Sequence, residues 1–215
     1  MVGCGHMKTI QVEQGTVDWL QARLGKVTGT RLKAVMGSTK VQDTLICELV
    51  AEQLTGQPEE FYTNNAMAWG KEYEDEAVVT YERLTGVRTD KVGFCVSDTY
   101  PYLGLSPDRL IKNKKGVYTK GVEVKAPTTK TFIRYMLDGG VPDEYHWQVV
   151  NYFLVCETLK ELDFIVYDPR IIDESKRLII TAVTRKELAE DIAAAATALA
   201  AFHARWKEAY NQIKK

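Results

Sequence analysis

A mixed β-sheet flanked by helices, an α/β fold, is what this sequence predicts. Three observations lead there. Residues 92–125 hold β-rich runs separated by turn-forming residues. Residues 18–86 and 132–156 place apolar side chains at helical spacing instead. Two further strand-like runs, 162–167 and 177–183, precede a long amphipathic segment that closes the chain.

The elements follow in order. Residues 18–24 read as a short helix, and Thr28 is placed to cap another reaching Lys33 or Val35. Residues 42–54 put Leu45, Ile46, Leu49 and Val50 on one helical face and stop near Gly56 and Pro58. A longer helix spans 64–84, ended by Gly86. Strands are predicted over 92–96, 102–111 and 117–125, the last two joined by Lys112-Asn113-Lys114-Lys115-Gly116, which has hairpin composition. A short helix at 132–137 precedes Gly139-Gly140. Pro142, suited to a first turn, opens a helix to about residue 156. After the strands at 162–167 and 177–183, Thr184 and Glu187 have capping-box spacing. The closing helix then carries Leu188, Ile192, Leu199, Phe202, Trp206 and Tyr210 as an apolar stripe, read as core packing. No repeat or linker divides the chain. Residues 7–215 read as one domain, and residues 1–6 as an appended leader ahead of Met7, so Cys4 is set aside.

Composition narrows the function. With 215 residues, 45% of them hydrophobic, the chain is long enough for a substantial core. It lacks an apolar run near the roughly 18 residues of a membrane span, and no secretory signal is visible, which predicts a cytoplasmic protein. Cys47, Cys95 and Cys156 show neither disulfide nor metal spacing and are expected to be buried thiols. A net charge of −1 excludes a generic basic nucleic-acid binder. The charge is nevertheless unevenly spread. Residues 19–42 contain Arg23, Lys26, Arg31, Lys33 and Lys40 with no acid, and 109–137 contain eight cations against Glu123 alone. One basic face on an otherwise acidic protein suits oriented binding of a polyanion.

The second basic stretch brackets the most informative motif. Ser106-Pro107-Asp108 is followed, after fourteen residues, by Glu123-Val124-Lys125. Side chains two apart on a strand point to one face, so Glu123 and Lys125 belong together, with Asp108 ending the neighbouring strand. Two carboxylates suit Mg²⁺, which takes one or two such ligands and fills the rest with water and phosphate. A lysine beside them can position or deprotonate the attacking water. The pattern is that of a phosphodiester-cutting site. Further candidates are Glu74, which shares a helical face with Lys71 and Asp75, and Asp98, either a hairpin partner of the metal-site strand or a turn residue. Gln148 and Tyr145 share a helix face. His146 and His203 lack partner patterns and are read as structural or surface residues.

Several segments together resemble the lambda-type phage exonuclease, or viral alkaline exonuclease, family of the PD-(D/E)xK nuclease superfamily. They are Trp19-Leu20-Gln21-Ala22-Arg23-Leu24-Gly25 with Thr28-Gly29-Thr30, Ala68-Trp69-Gly70-Lys71-Glu72-Tyr73-Glu74, Leu105-Ser106-Pro107-Asp108, Val122-Glu123-Val124-Lys125-Ala126-Pro127 and Tyr145-His146-Trp147-Gln148-Val149. The resemblance implies a restriction-endonuclease-like core and a Mg²⁺-dependent enzyme, with Mn²⁺ as a substitute. It implies degradation of duplex DNA from 5′ ends, release of mononucleotides and 3′ single-stranded overhangs. It also implies a ring-shaped homotrimer, a single-strand annealing protein as partner and a phage or prophage origin in a bacterial host. By position, Asp108, Glu123 and the Val124 carbonyl would hold metal, and Lys125 would meet the scissile phosphate or water. Glu74 and Asp98 would support metal or water. Arg23, Thr30 and Ser106 would hold the terminal 5′-phosphate, and Gln148 would contact the backbone near the site. Arg109, where glycine is frequent, and Thr30, where serine is common, depart from the family pattern.

Two other functions share these residues. An endonuclease of the same superfamily would use Asp108, Glu123 and Lys125 but needs no terminal-phosphate pocket. A catalytically silent DNA-end-binding module gains little from acids facing phosphate.

Overall fold

The computed structural model describes residues 7–58 and 65–214, excluding the side chains of 65–67. The leader expected at 1–6, with Cys4, and the expected helix start at residue 64 lie outside the described residues.

The seven described strands form two sheets. The smaller is antiparallel and holds β1 (Met7–Ile10), β2 (Phe94–Ser97) and β3 (Gly104–Leu105) in that order. The larger holds β4 (Arg109–Lys112), β5 (Tyr118–Lys125), β6 (Glu161–Tyr167) and β7 (Leu178–Thr184). Here β4–β5 and β6–β7 are antiparallel and β5–β6 is parallel, so this sheet is mixed, as the sequence predicts. The helices are α1 (Val17–Arg23), α2 (Gly29–Val35), α3 (Thr39–Thr55), α4 (Asn65–Thr85), α5 (Thr129–Asp138), α6 (His146–Val155) and α7 (Ala189–Ile213).

The alternation of β5 explains the layers. Val122 and Val124 point to one side and pack with Ala77, Val78 and Tyr81 of α4, together with Ile165 and Tyr167 of β6. Glu123 and Lys125 point to the other side, toward α6. Behind α6 a larger core gathers Leu32, Leu49, Phe153, Leu199 and Phe202 from α2, α3, α6 and α7. Burying each such side chain contributes about 1.5–3 kcal/mol, so the polar face of β5 sits between two apolar layers that hold it still. The stripe expected on the closing helix is this packing: Leu199, Phe202 and Trp206 are buried.

Several expectations are corrected. The run 102–111 is not one strand. It breaks at Ser106-Pro107-Asp108 into β3 and β4, which belong to different sheets. Proline lacks the N–H a ladder needs, and the break frees the Asp108 side chain to accept a backbone N–H from β5. Pro142 precedes a short 3₁₀ turn, Asp143–Tyr145, and α6 begins only at His146. Thr28 is the N-cap of α2 but makes no side-chain capping bond. The capping-box bonds between Thr184 and Glu187 form, yet they close a turn and α7 starts at Ala189. Cys95 and Cys156 are buried, whereas Cys47 is exposed.

Candidate active site

Glu123 is the hub of the site and is 2% exposed. Lys125 Nζ donates to its Oε1 at 2.5 Å, and Gln148 Nε2 donates to the same oxygen at 2.5 Å. The Tyr152 hydroxyl donates to Oε2 at 2.6 Å. That hydroxyl also accepts the Asp108 N–H at 3.2 Å, tying the start of β4 to α6. Asp108 Oδ2 accepts the Val124 N–H at 2.7 Å. A strand residue sends its N–H and C=O to the same side, so the Val124 carbonyl faces the Asp108 side as well. Gly121 makes room for this arrangement: a Cβ there would lie 3.0 Å from Tyr152 Cδ1. Lys125 Nζ also sits 4.7 Å from the Tyr145 ring centre, which adds a cation–π contact.

The charges do not balance. Burial first, then the charges of Glu123 and Glu74, hold the Asp108 carboxyl well above the usual carboxylate range, against the opposing pull of Lys125 and the Val124 amide. Burial opposes the Lys125 ammonium, but Glu123 and Asp108 outweigh it and keep its pKa above the ordinary lysine value. Burial, Glu123 and Asp108 raise the Tyr152 phenol, which therefore stays a neutral donor. Excess negative charge on recessed oxygens suits a hard divalent cation. Among the described residues no three His, Cys, Asp or Glu side chains form a ready-made metal cage. Two carboxylates and a carbonyl fit Mg²⁺ better than a metal that needs four protein ligands.

A stability consequence follows. Because the folded pKa of Asp108 lies above its unfolded value, the favourable contribution exists at low pH and is lost as pH rises through the folded pKa. At neutral pH, Asp108→Asn is expected to raise the melting temperature of the chelator-treated protein. The gain would be about 2–4 °C for each kcal/mol relieved in a chain of this size. The variant should also lose the stabilisation that Mg²⁺ gives the wild type. A lower melting temperature with Mg²⁺ stabilisation intact would contradict the assignment.

Glu74 reaches the site from α4. It accepts from Arg109 Nη1 at 2.7 Å. Arg109, noticed in the sequence only as a departure from pattern, is 5% exposed. It also donates to Asp75 Oδ1 and to the Asp108 carbonyl, both at 2.5 Å.

Arg23 and Ser106 come together as the sequence suggests. Arg23 Nη1 and Trp19 Nε1 each donate to Ser106 Oγ at 2.9 Å, which leaves the Ser106 proton for another acceptor. The guanidinium lies 4.2 Å from the Trp19 ring centre. Burial chiefly, with Arg31 adding, lowers the Arg23 pKa to about 10, so it stays cationic at neutral pH. Behind it, Glu52 accepts the Gly25 N–H at 2.9 Å and both terminal nitrogens of Arg31, fixing the loop that leads to Thr28. Ser106 lies two residues before Asp108, so one short segment joins the two clusters.

Two further expected residues are exposed. Thr30 is exposed on α2, and buried Thr28 is the threonine that meets Arg23, at 3.5 Å. Asp98 is exposed on the turn after β2. Since Ser97 N–H bonds the Leu103 carbonyl, Asp98 marks the far tip of that hairpin, roughly 15 Å along the chain from Asp108 at strand spacing. β2 pairs with β1 and β3, not with β4 or β5. Tyr152 was missed, although its four-residue spacing from Gln148 puts both on one helix face.

Comparison with known proteins bears on the family and the fold. The YqaJ-like viral recombinase domain matches residues 18–158, which include both clusters. Two crystal structures of the alkaline exonuclease LHK-Exo from Laribacter hongkongensis, one in complex with dAMP, superpose with TM-scores of 0.82 and 0.81. Each is 32% identical over 93% of this chain and 96% of that one. A phage-related exonuclease from Haemophilus somnus 129PT, 14% identical over 87% of this chain and 96% of that one, shares the fold with a TM-score of 0.58. No curated protein sequence matches. The mixed sheet and its flanking helices are the restriction-endonuclease-like fold of these enzymes. With the domain matched across both clusters and LHK-Exo aligned over nearly the whole chain, the protein belongs to the YqaJ-like viral recombinase family of alkaline exonucleases.

Proposed function

We propose that this protein is a Mg²⁺-dependent 5′-to-3′ exonuclease on linear double-stranded DNA. It would release 5′-mononucleotides and leave 3′ single strands for an annealing protein to use in recombination. The observation that carries the reading is the segment Ser106-Pro107-Asp108. It joins an arginine–serine pocket suited to a terminal phosphate to a carboxylate–lysine site suited to cutting the next phosphodiester. An endonuclease has no use for the first of these. The dAMP bound to LHK-Exo, itself a 5′-mononucleotide, supports the same product class.

Asp108, Glu123 and the Val124 carbonyl would hold Mg²⁺, or Mn²⁺ in its place, which supplies Lewis-acid charge and a more acidic bound water. Lys125, anchored by Glu123, offers its remaining protons to the scissile phosphate or to the water. Gln148 and Tyr152 hold the Glu123 carboxylate in one orientation, so that orientation is set before substrate arrives. Arg23, with Ser106 and a hydroxyl of Thr28 or Thr30, would grip the terminal phosphate through a planar fork. Each cut exposes a new 5′-phosphate, which the same pocket accepts. A homotrimeric ring, the arrangement implied by the family, would let basic residues line a channel while the outside stays acidic.

The test is digestion of a linear duplex beside its covalently closed counterpart, with Mg²⁺ and with chelator. Loss of the linear form alone, dependent on Mg²⁺, is expected. Cutting of the closed form would favour an endonuclease. Light scattering on the same preparation is expected to give about three times the 24.3 kDa chain mass, and a strict monomer would remove the ring.

A further inference from the structure

Arg170 stands at the edge of the site with donors to spare. Asp168, directly after β6, is fully buried. Its Oδ1 accepts Arg170 Nε at 2.7 Å and the Arg170 backbone N–H at 3.0 Å, and its Oδ2 accepts Arg170 Nη2 at 3.1 Å. Burial opposes the Asp168 charge, but Arg170 and Thr129 outweigh it and hold its pKa below the ordinary aspartate value. Nη2 also donates to the Pro127 carbonyl at 2.9 Å. The guanidinium lies over the Trp69 ring of α4, 4.5 Å from its centre. A guanidinium has five N–H donors. Nε and Nη2 are engaged, while Nη1 meets no acceptor among the described residues. The side chain is 40% exposed, so that edge is open.

Position gives the open edge a use. Pro127 lies two residues beyond Lys125, roughly 6–7 Å along an extended chain. Val166 of β6 is opposite Lys125, so Asp168 closes β6 at the level where Pro127 leaves β5. Trp69 precedes Glu74 by five residues of α4, about 7.5 Å along the helix axis. Arg170 thus borders the end of the sheet that carries the Lys125 ammonium.

We propose that Arg170 binds, through Nη1, a phosphate of the duplex beside the one being cut. The inference rests on the nuclease reading above and adds to it a substrate contact supplied by the loop after β6. Asp168 and Trp69 hold the guanidinium in place before DNA arrives, so little side-chain freedom is lost on binding. A purely structural clamp has no need of the open edge, since the contacts to Asp168, Trp69 and Pro127 are complete without Nη1.

The test measures binding of a 5′-phosphorylated duplex by fluorescence anisotropy, in chelator, over a range of NaCl concentrations. Each phosphate neutralised contributes about −0.9 to the slope of log affinity against log salt. Arg170→Gln is expected to make the slope shallower by about one and to weaken binding about ten- to hundredfold at fixed salt. Arg170→Lys keeps the charge and should restore the slope. In Mg²⁺ the loss of digestion by Arg170→Gln is expected in KM, evident at low duplex concentration and largely recovered at saturation. Because Arg170→Gln strands the buried Asp168 carboxylate, the double variant Asp168→Asn with Arg170→Gln replaces it if it fails to fold, and the same shallower slope is expected. An unchanged slope in the folded variant, whatever its rate, would overturn the phosphate contact and leave the exonuclease reading standing. A shallower slope with a hundredfold loss at saturation would put Arg170 on the scissile phosphate and overturn its assignment to the neighbouring one. A wild type that binds the duplex but digests none of it in Mg²⁺ would overturn the nuclease reading, and with it the placement of this contact beside a cut phosphate.

Discussion

Lys125→Ala is expected to lower the rate of the chemical step by about 10²–10³-fold, the usual cost of removing one preorganised group that meets developing transition-state charge. Lys125 is half-buried, hydrogen-bonded to Glu123 and seated against the Tyr145 ring. Its position is thus fixed before substrate arrives. Truncation leaves Glu123 with Gln148 and Tyr152, so the fold should survive. Glu123→Gln is a less clean probe. It strips the half-buried Lys125 ammonium of its carboxylate, and breaking a buried pair by removing one partner is costly. A lower melting temperature is therefore expected there beside lost activity. Single-turnover rates with excess enzyme separate chemistry from DNA binding. A folded Lys125→Ala protein that cuts at the wild-type rate would end the assigned role.

The second large effect concerns the DNA end. Wild type is expected to prefer a 5′-phosphorylated duplex over a 5′-hydroxyl one, and Arg23→Ala to erase most of that preference. A hydrogen bond to a charged group contributes about 1.5–3 kcal/mol, which corresponds to roughly ten- to hundredfold in initial rate. The variant should also digest shorter lengths before stopping, since each cycle presents a fresh phosphate. Arg23→Lys keeps the charge but not the fork, and an intermediate preference is expected. Trp19 still holds Ser106 in either variant, so a general collapse of the pocket is not the anticipated cause. Full wild-type preference in Arg23→Ala would move the phosphate pocket elsewhere.

How much of this was legible in the sequence depended on the kind of signal. The mixed sheet could be read because β-branched runs and helical stripes differ in period. Glu123 and Lys125 could be paired because a strand repeats every second residue. The gap in 102–111 was legible in principle: Pro107 sits inside the run, and proline in a strand argues for a break. Tyr152 was hidden because it lies in an apolar stretch, where an aromatic residue reads as core, and its role comes from the hydroxyl alone. Arg109 was hidden for another reason. Its partners Glu74 and Asp75 are more than thirty residues away, and no local pattern records that pairing. Within the basic run 19–42, the pairing of Arg31 with Glu52 of α3 was out of reach of any local pattern. Asp98 was left open between a hairpin partner and a turn residue, because sequence distance from Asp108 says nothing about which end of a hairpin a residue occupies.

The most direct test of the central claim uses linear duplexes labelled at the 5′ terminus or at the 3′ terminus of the same strand, incubated with Mg²⁺ or with chelator. With Mg²⁺, the 5′ label is expected to appear at once as free mononucleotide, while the 3′ label stays on long single strands until late in the reaction. With chelator neither label should move. Early release of the 3′ label, internal fragments of intermediate length, or digestion that continues in chelator would contradict a metal-dependent exonuclease working from 5′ ends.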